Sequence, residues 1–95
     1  MAYHEERQAM LARLSDRLAA LLKAEPDWKA TADEIVDLVE VPEPDWSSPQ
    51  AFVASAQGAL MTLVPQALKW KVRPEQAESP LDLVQNLLPS DHHLD

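Results

Sequence analysis

Apolar residues recur at intervals of three and four in the first quarter of the chain. Between residues 2 and 24 they fall on one stripe, while charged residues take the other faces. The stripe consists of Met10, Leu11, Leu14, Leu18, Leu21 and Leu22. This spacing places all of its members on one side of an α-helix. The pattern therefore predicts an amphipathic helix that ends before Pro26, which has no amide hydrogen to donate.

Three later segments carry the start signals of further helices. Thr31 and Glu34 have the spacing of a capping box, and the apolar run behind them ends at Pro42. The dipeptides at residues 48–49 and 79–80 are both Ser-Pro, a capping residue followed by proline at the first helical position. We expect one short helix after each of the first and last signals.

The middle signal opens the longest of these segments. Its apolar residues continue to Val64, where Pro65 is expected to kink the helix or to begin a new turn. Small side chains on this helix would let another helix approach closely. They are Ala51, Ala54, Ser55, Ala56, Gly58 and Ala59.

Composition favours helices over sheets. The chain is 46% hydrophobic with one Gly and eight Pro, and sheet turns normally draw on Gly for positive φ. Ninety-five residues are enough for one core. We predict an all-α fold, a compact bundle or orthogonal array of four to five helices joined by short proline-containing turns. Residues 1–90 would form a single domain, and residues 91–95 a disordered tail.

The tetrapeptide EPDW occurs twice, ending at Trp28 and at Trp46. The capping residue that follows lies three positions after the first tryptophan and two after the second, so the copies are not in register as an internal repeat would be. Either each tryptophan covers the core at the end of a helix, or the two together anchor a partner protein, because tryptophan is enriched in interface hot spots.

Negative charge is concentrated around the second predicted helix. The net charge is −8, and residues 25–45 hold eight acids against the single base Lys29. Such a stretch is either a solvated face, a docking surface for a basic protein, or a mimic of nucleic-acid phosphates. The residues predicted to bind a partner are Trp28, Asp33, Asp37, Glu40, Glu43, Asp45 and Trp46.

The only basic cluster surrounds Trp70. Lys69, Lys71 and Arg73 alternate with apolar residues, a pattern typical of a segment with a buried tryptophan and solvated bases. Two other interpretations are a contact with an anion or membrane surface, and a contact between this cluster and the acidic stretch, within one chain or between two copies.

The sequence contains no recognisable catalytic or cofactor motif. Without Cys it has no disulfide, no catalytic thiolate and no sulfur-ligated metal site. His92 and His93 are adjacent in the predicted tail, which suits zinc poorly. Strong acidity argues against nucleic-acid binding, and no apolar run approaches a membrane span. We therefore expect no enzyme activity, no cofactor, no metal, no membrane contact and a cytoplasmic location.

Together these features predict a small acidic non-enzymatic module that binds another protein with a basic or apolar surface. An adaptor, an inhibitor, or an antitoxin-like or immunity-like factor would fit this description. Binding would use an apolar helical face with an acidic rim, and self-association into a homodimer is expected. The alternatives are a nucleic-acid mimic that blocks the basic groove of a DNA- or RNA-binding protein, or a structural subunit of a larger assembly.

Overall fold

The first helix, α1, spans Ala2–Lys23 and supplies the centre of the core. The structure is a computed structural model that describes residues 2–88. Met10, Leu14, Leu18 and Leu22 are buried at steps of four residues, and Leu11 and Leu21 pack beside them. The predicted stripe is confirmed. Residues four positions apart lie on the same face of an α-helix, so the four buried side chains all face the core.

Four more α-helices follow α1 within residues 2–88. They are α2 (Trp28–Leu38), α3 (Pro49–Ser55), α4 (Gln57–Lys69) and α5 (Pro80–Gln85), with a 3-10 turn at Pro74–Gln76 before the last. Helix α1 contacts all four of them, and α2 also contacts α5. No strand occurs in this part of the chain. The all-α prediction, with helices joined by turns that contain proline, is confirmed.

Two of the predicted helix starts are confirmed by their hydrogen bonds. The Ser48 hydroxyl accepts from the backbone amide of Ala51 at 3.0 Å, and the Ser79 hydroxyl accepts from that of Asp82 at the same distance. Each serine satisfies one amide that has no partner inside its helix. The proline that follows each serine occupies the first helical position.

The predicted start of the second helix at Thr31 is wrong. Helix α2 begins at Trp28, and its cap position is held by Asp27, four residues before Thr31, whose side chain does not cap it. The side chain of Asp27 makes no capping hydrogen bond either. The Thr31 hydroxyl donates instead to the Glu25 carboxylate. Starting the helix at Trp28 packs that half-buried indole against the core. Burial of a large aromatic side chain outweighs the capping box, whose contribution is about 1 kcal/mol.

Of the two alternatives predicted at Pro65, a new turn is wrong, because α4 continues through Pro65 to Lys69. A kink at Pro65 stays a prediction. The break lies at Ala56, where α3 and α4 meet at an angle of 71°. The Ser55 hydroxyl donates to the carbonyl oxygen of Phe52 at 2.6 Å, a back-bond that bends helices. The bend lets Phe52 on α3 and Leu60 on α4 both enter the core around α1.

The core cluster joins all five helices. It includes Ile35 from α2, Val64 from α4 and Val84 from α5, each almost fully buried. The Cα radius of gyration is 12.8 Å, close to the value of about 12 Å typical of compact domains of this length. The predicted single domain extends to residue 90 and stays a prediction, and the predicted tail at residues 91–95 lies outside the described residues.

No individual helix among residues 2–88 combines the length and apolar character needed to cross a bilayer. Helices α3 and α4 meet that criterion only when taken together, across their 71° bend. Both contribute buried residues to the core, including Phe52 and Leu60.

Candidate functional site: an acidic groove between α2 and α4

A groove of about 410 Å³ lies between the end of α2 and the first half of α4. Leu38 and Val39 form one side, and Leu63 and Leu88 contribute apolar surface from α4 and from the residues after α5. Leu38 also borders a second depression of about 320 Å³ against Leu81 of α5. The volume of the groove is at the lower end of the range of about 300 to 1,000 Å³ found for ligand sites.

Every charged residue that lines the two depressions is acidic. Glu34, Asp37 and Glu40 are exposed and stand three residues apart along α2 and its extension. Helix α2 ends at Leu38, so the negative end of its dipole adds to their field. We call the two depressions together the acidic groove, with these three carboxylates as its rim.

Leu38 is the most unusual apolar residue of the acidic groove because 39% of its surface is exposed at the boundary of the two depressions. The adjacent Val39 and Ile35 pack into or against the core. An exposed leucine alone is ordinary on a protein surface. Here it stands in a concave surface, where a partner can remove it from water on several sides at once.

The opposite wall of the acidic groove is made of small residues. Gly58, Ala59 and Thr62 line it, all within the first half of α4. A Cβ atom added to Gly58 would meet nothing within 4 Å, so no packing contact in the molecule requires glycine at this position. The wall is therefore low, and a helix could approach α4 closely here.

The two tryptophans of the EPDW copies have different surroundings. Trp28 is half-buried against the core, with the Lys29 ammonium 5.9 Å from its ring centre. Trp46 keeps 37% of its surface exposed and lies against Phe52, with ring centres 5.5 Å apart. The ring that Trp46 contacts is that of Phe52, and joint anchoring of a partner by the two indoles stays a prediction.

The other carboxylates predicted to bind a partner do not line the acidic groove. Asp33 and Glu43 are exposed outside it, whereas Asp37 and Glu40 belong to its rim. Asp45 has a local structural role, since its carboxylate accepts from the Ser47 hydroxyl at 2.6 Å and from the Ser47 amide at 3.0 Å. These bonds, the hydroxyl first, lower the pKa of Asp45.

The basic cluster near the end of α4 differs from the arrangement that its sequence is typical of, a buried tryptophan with solvated bases. Trp70 is 39% exposed rather than buried, and Lys69, Lys71 and Arg73 are exposed around it. We call these four residues the Trp70 patch. Helix α4 ends there in a left-handed turn, with Lys71 at φ 55°.

The turn after α4 has the two hydrogen bonds of a Schellman motif. The amide of Val72 donates to the Ala67 carbonyl at 2.9 Å, and that of Lys71 donates to the Leu68 carbonyl at 3.2 Å. Val72 packs against the core after this turn. The turn therefore directs Val72 inward and leaves the tryptophan before it partly in solvent.

Another charged feature joins α1 to the 3-10 turn. Arg13 binds Glu75 through two nearly parallel hydrogen bonds, Nε to Oε2 at 2.8 Å and a terminal nitrogen to Oε1 at 2.6 Å. This bidentate bond from Arg13 lowers the pKa of Glu75 to about 2. Arg17 donates to the carbonyl of Ala77 at 2.8 Å. The contacts tie α1 to the 3-10 turn and to the residue after it, 62 and 60 positions away in the chain, so they have a structural role.

Sequence reasoning missed most of the residues that line the acidic groove. Leu38, Leu63 and Leu88 lie in apolar helical segments, where spacing alone does not distinguish a groove residue from a core residue. The small residues Gly58 and Ala59 were recognised as a surface for close helix approach, which was the available signal. In the part of the chain that the structure describes, no three His, Asp or Glu residues are arranged to hold a metal ion. His92 and His93 lie outside that part.

Comparison with protein-family models, with characterised proteins and with solved structures finds no match to this chain.

Proposed function

We propose that this protein is a non-enzymatic binding module whose acidic groove takes an apolar helical segment flanked by basic residues from another protein. The observation that carries the proposal is the coincidence of a concave apolar surface with a rim whose charges are all negative. An amphipathic helix that lays its apolar face into a groove is a recurring mode of peptide recognition. An adaptor or an inhibitor, including antitoxin-like and immunity-like factors, would work in this way.

In this proposal the apolar lining of the acidic groove and its rim carboxylates have different roles. Leu38, Leu63 and Leu88 supply contact area, which gives most of the affinity when water is excluded. Asp37 and Glu40 favour segments with flanking Lys or Arg and speed their association. The low wall at Gly58 admits the backbone of a helix rather than only single side chains.

The test uses a labelled helical peptide with leucines at one face and lysines at both edges, titrated with dilute protein. The double variant Asp37→Asn/Glu40→Gln should weaken binding by about ten-fold, because it removes the rim charges. The matched control Asp33→Asn/Glu43→Gln removes the same charge outside the acidic groove and should change binding less than about two-fold. Equal losses in both variants would show that only net charge matters, and would contradict the proposal.

A salt series separates this proposal from nucleic-acid mimicry. Three carboxylates follow one another at exposed positions of α2 (Glu34, Asp37) and just beyond its end (Glu40), so an acidic surface suited to a basic groove is also present. Mimicry predicts an affinity that falls steeply with salt, whereas binding mainly through apolar contact area should fall by no more than the about ten-fold that the rim charges contribute. The cytoplasm remains the expected compartment, since a chain with no Cys has no disulfide that would need an oxidising one.

A further inference from the structure

The Trp70 patch has the chemistry that the acidic groove is proposed to recognise. Within residues 69–73 it combines three bases with an exposed indole and contains no acid. The Schellman turn fixes this arrangement at the end of α4, so little ordering remains to be done on binding. A basic, aromatic, preformed surface and an acidic apolar groove are thus both present on one molecule.

These two surfaces do not meet inside one molecule. The ion pair within residues 2–88 is Arg13–Glu75, so none of the three bases of the Trp70 patch pairs with an acid in that part of the chain. None of the residues 69–73 lines either depression of the acidic groove. The bases of the Trp70 patch and the rim carboxylates of the acidic groove can therefore contact a second molecule.

We propose that the Trp70 patch of one copy docks in the acidic groove of a second copy, so that self-association and partner binding compete for the same surface. This inference rests on the proposed binding role of the acidic groove. Trp70 would cover Leu38, and Lys69 and Lys71 would face the rim carboxylates. The charge complementarity identifies a second copy as the occupant.

The geometry of α4 allows such a contact to close into a dimer. Ala59 in the groove wall and Trp70 are eleven residues apart on one helix, about 17 Å at 1.5 Å per residue. Two copies with antiparallel α4 helices then place each Trp70 patch against the other copy's groove. The same contact then forms twice, related by one two-fold axis. Because both surfaces of each copy are occupied, the assembly closes as a dimer and does not extend into a filament.

The experiment uses two charge-reversed variants of the full chain in sedimentation equilibrium at low salt. Variant one carries Asp37→Lys/Glu40→Lys in the groove, and variant two carries Lys69→Glu/Lys71→Glu in the patch. Each alone should self-associate at least about ten-fold more weakly than the parent protein, because like charges then face each other. Circular dichroism verifies that each variant is folded.

Mixing the two variants is the decisive arm. The mixture pairs a negative groove with a positive patch at one contact and a positive groove with a negative patch at the other. Heterodimers should therefore form with an affinity close to that of the parent. Control Asp33→Lys/Glu43→Lys makes the same charge change as variant one outside the groove and should leave self-association within about two-fold of the parent.

Three results would overturn the inference: a parent protein that stays monomeric at several hundred micromolar in low salt, reversals without effect, or a mixture that does not associate. Each of these leaves the peptide assay intact, because that assay uses dilute monomer. Loss of peptide binding with intact variant behaviour in sedimentation would instead show that the acidic groove serves only contacts between copies.

Discussion

Replacing Lys71 by glycine should stabilise the fold, because Lys71 holds a backbone conformation that suits glycine. Its φ of 55° lies in the left-handed region, where a Cβ atom crowds the following carbonyl oxygen. That crowding costs roughly 1 to 2 kcal/mol for residues other than glycine. Glycine also loses about 0.5 to 1 kcal/mol more backbone freedom on folding. The middle of the first range minus the middle of the second gives a net gain of about 0.75 kcal/mol.

Urea unfolding followed by far-ultraviolet circular dichroism measures this gain directly. The midpoint should rise in Lys71→Gly with no change in the slope of free energy against urea, since the surface exposed on unfolding is the same. In a thermal scan a gain of this size raises Tm by roughly 2 to 8 °C for a domain of this length.

The control for this prediction is Lys71→Ala. It removes the same charge and side chain but keeps a Cβ atom at a positive φ, so it should not be stabilised. The difference between the two variants isolates the backbone effect. If Lys71→Gly were no more stable than Lys71→Ala, the left-handed turn, and with it the argument for an outward Trp70, would be wrong.

Four further measurements test other parts of the structure. Glu75 has a pKa of about 2 when folded against an ordinary value of 4.5, so its stabilising contribution is complete above pH 4.5 and is lost as pH falls towards 2; urea unfolding of Glu75→Gln should depend less on pH in that window. Ser55→Ala removes a hydroxyl bonded on both sides, to Phe52 and to the loop at Asp45, and should lower the free energy of unfolding by about 1 to 2 kcal/mol. Gly58→Ala should raise it by up to about 1 kcal/mol, since the added methyl meets open space, and a destabilised variant would contradict that. Trp46→Ala should weaken binding of a partner by at least about 2 kcal/mol if Trp46 is a hot spot, and a loss no larger than at Met61→Ala would exclude that role.

Local features of the fold could be predicted from the sequence because their causes are local. The α1 stripe needs only the helical period, and the Ser48 and Ser79 caps need only a hydroxyl three residues before an amide. The start of α2 could not be predicted in the same way. It depends on whether Trp28 finds a place in the core, and that place is built from residues distant in the chain.

The break between α3 and α4 shows the same limit. Pro65 is the stronger helix breaker by sequence, yet it lies on the exposed side of α4 and the helix passes through it. Ser55 carries no such signal, since its back-bond matters only where both halves must lie on α1. The break between the two helices therefore lies at Ala56, nine residues before Pro65.

The acidic groove was only half predictable. Its charges are visible in the composition of residues 25–45, and Asp37 and Glu40 were both among the predicted binding residues. Its shape comes from the placement of α2 beside α4 and Leu88, which no spacing within one segment specifies. That is also why Asp33 and Glu43, equal to them in sequence, lie outside the groove.

The two contacts from α1 to the 3-10 turn bear on the order in which the chain can fold during synthesis. Arg13 and Arg17 find Glu75 and Ala77 some sixty residues later in the chain. At about 5 to 20 residues per second, the ribosome takes roughly 3 to 12 s to make that stretch. Early in this interval the leucines of α1 lack α3 and α4, the helices that α1 contacts most. The apolar face of α1 is therefore exposed on the nascent chain. The chain is most prone to aggregate before α4 has been synthesised.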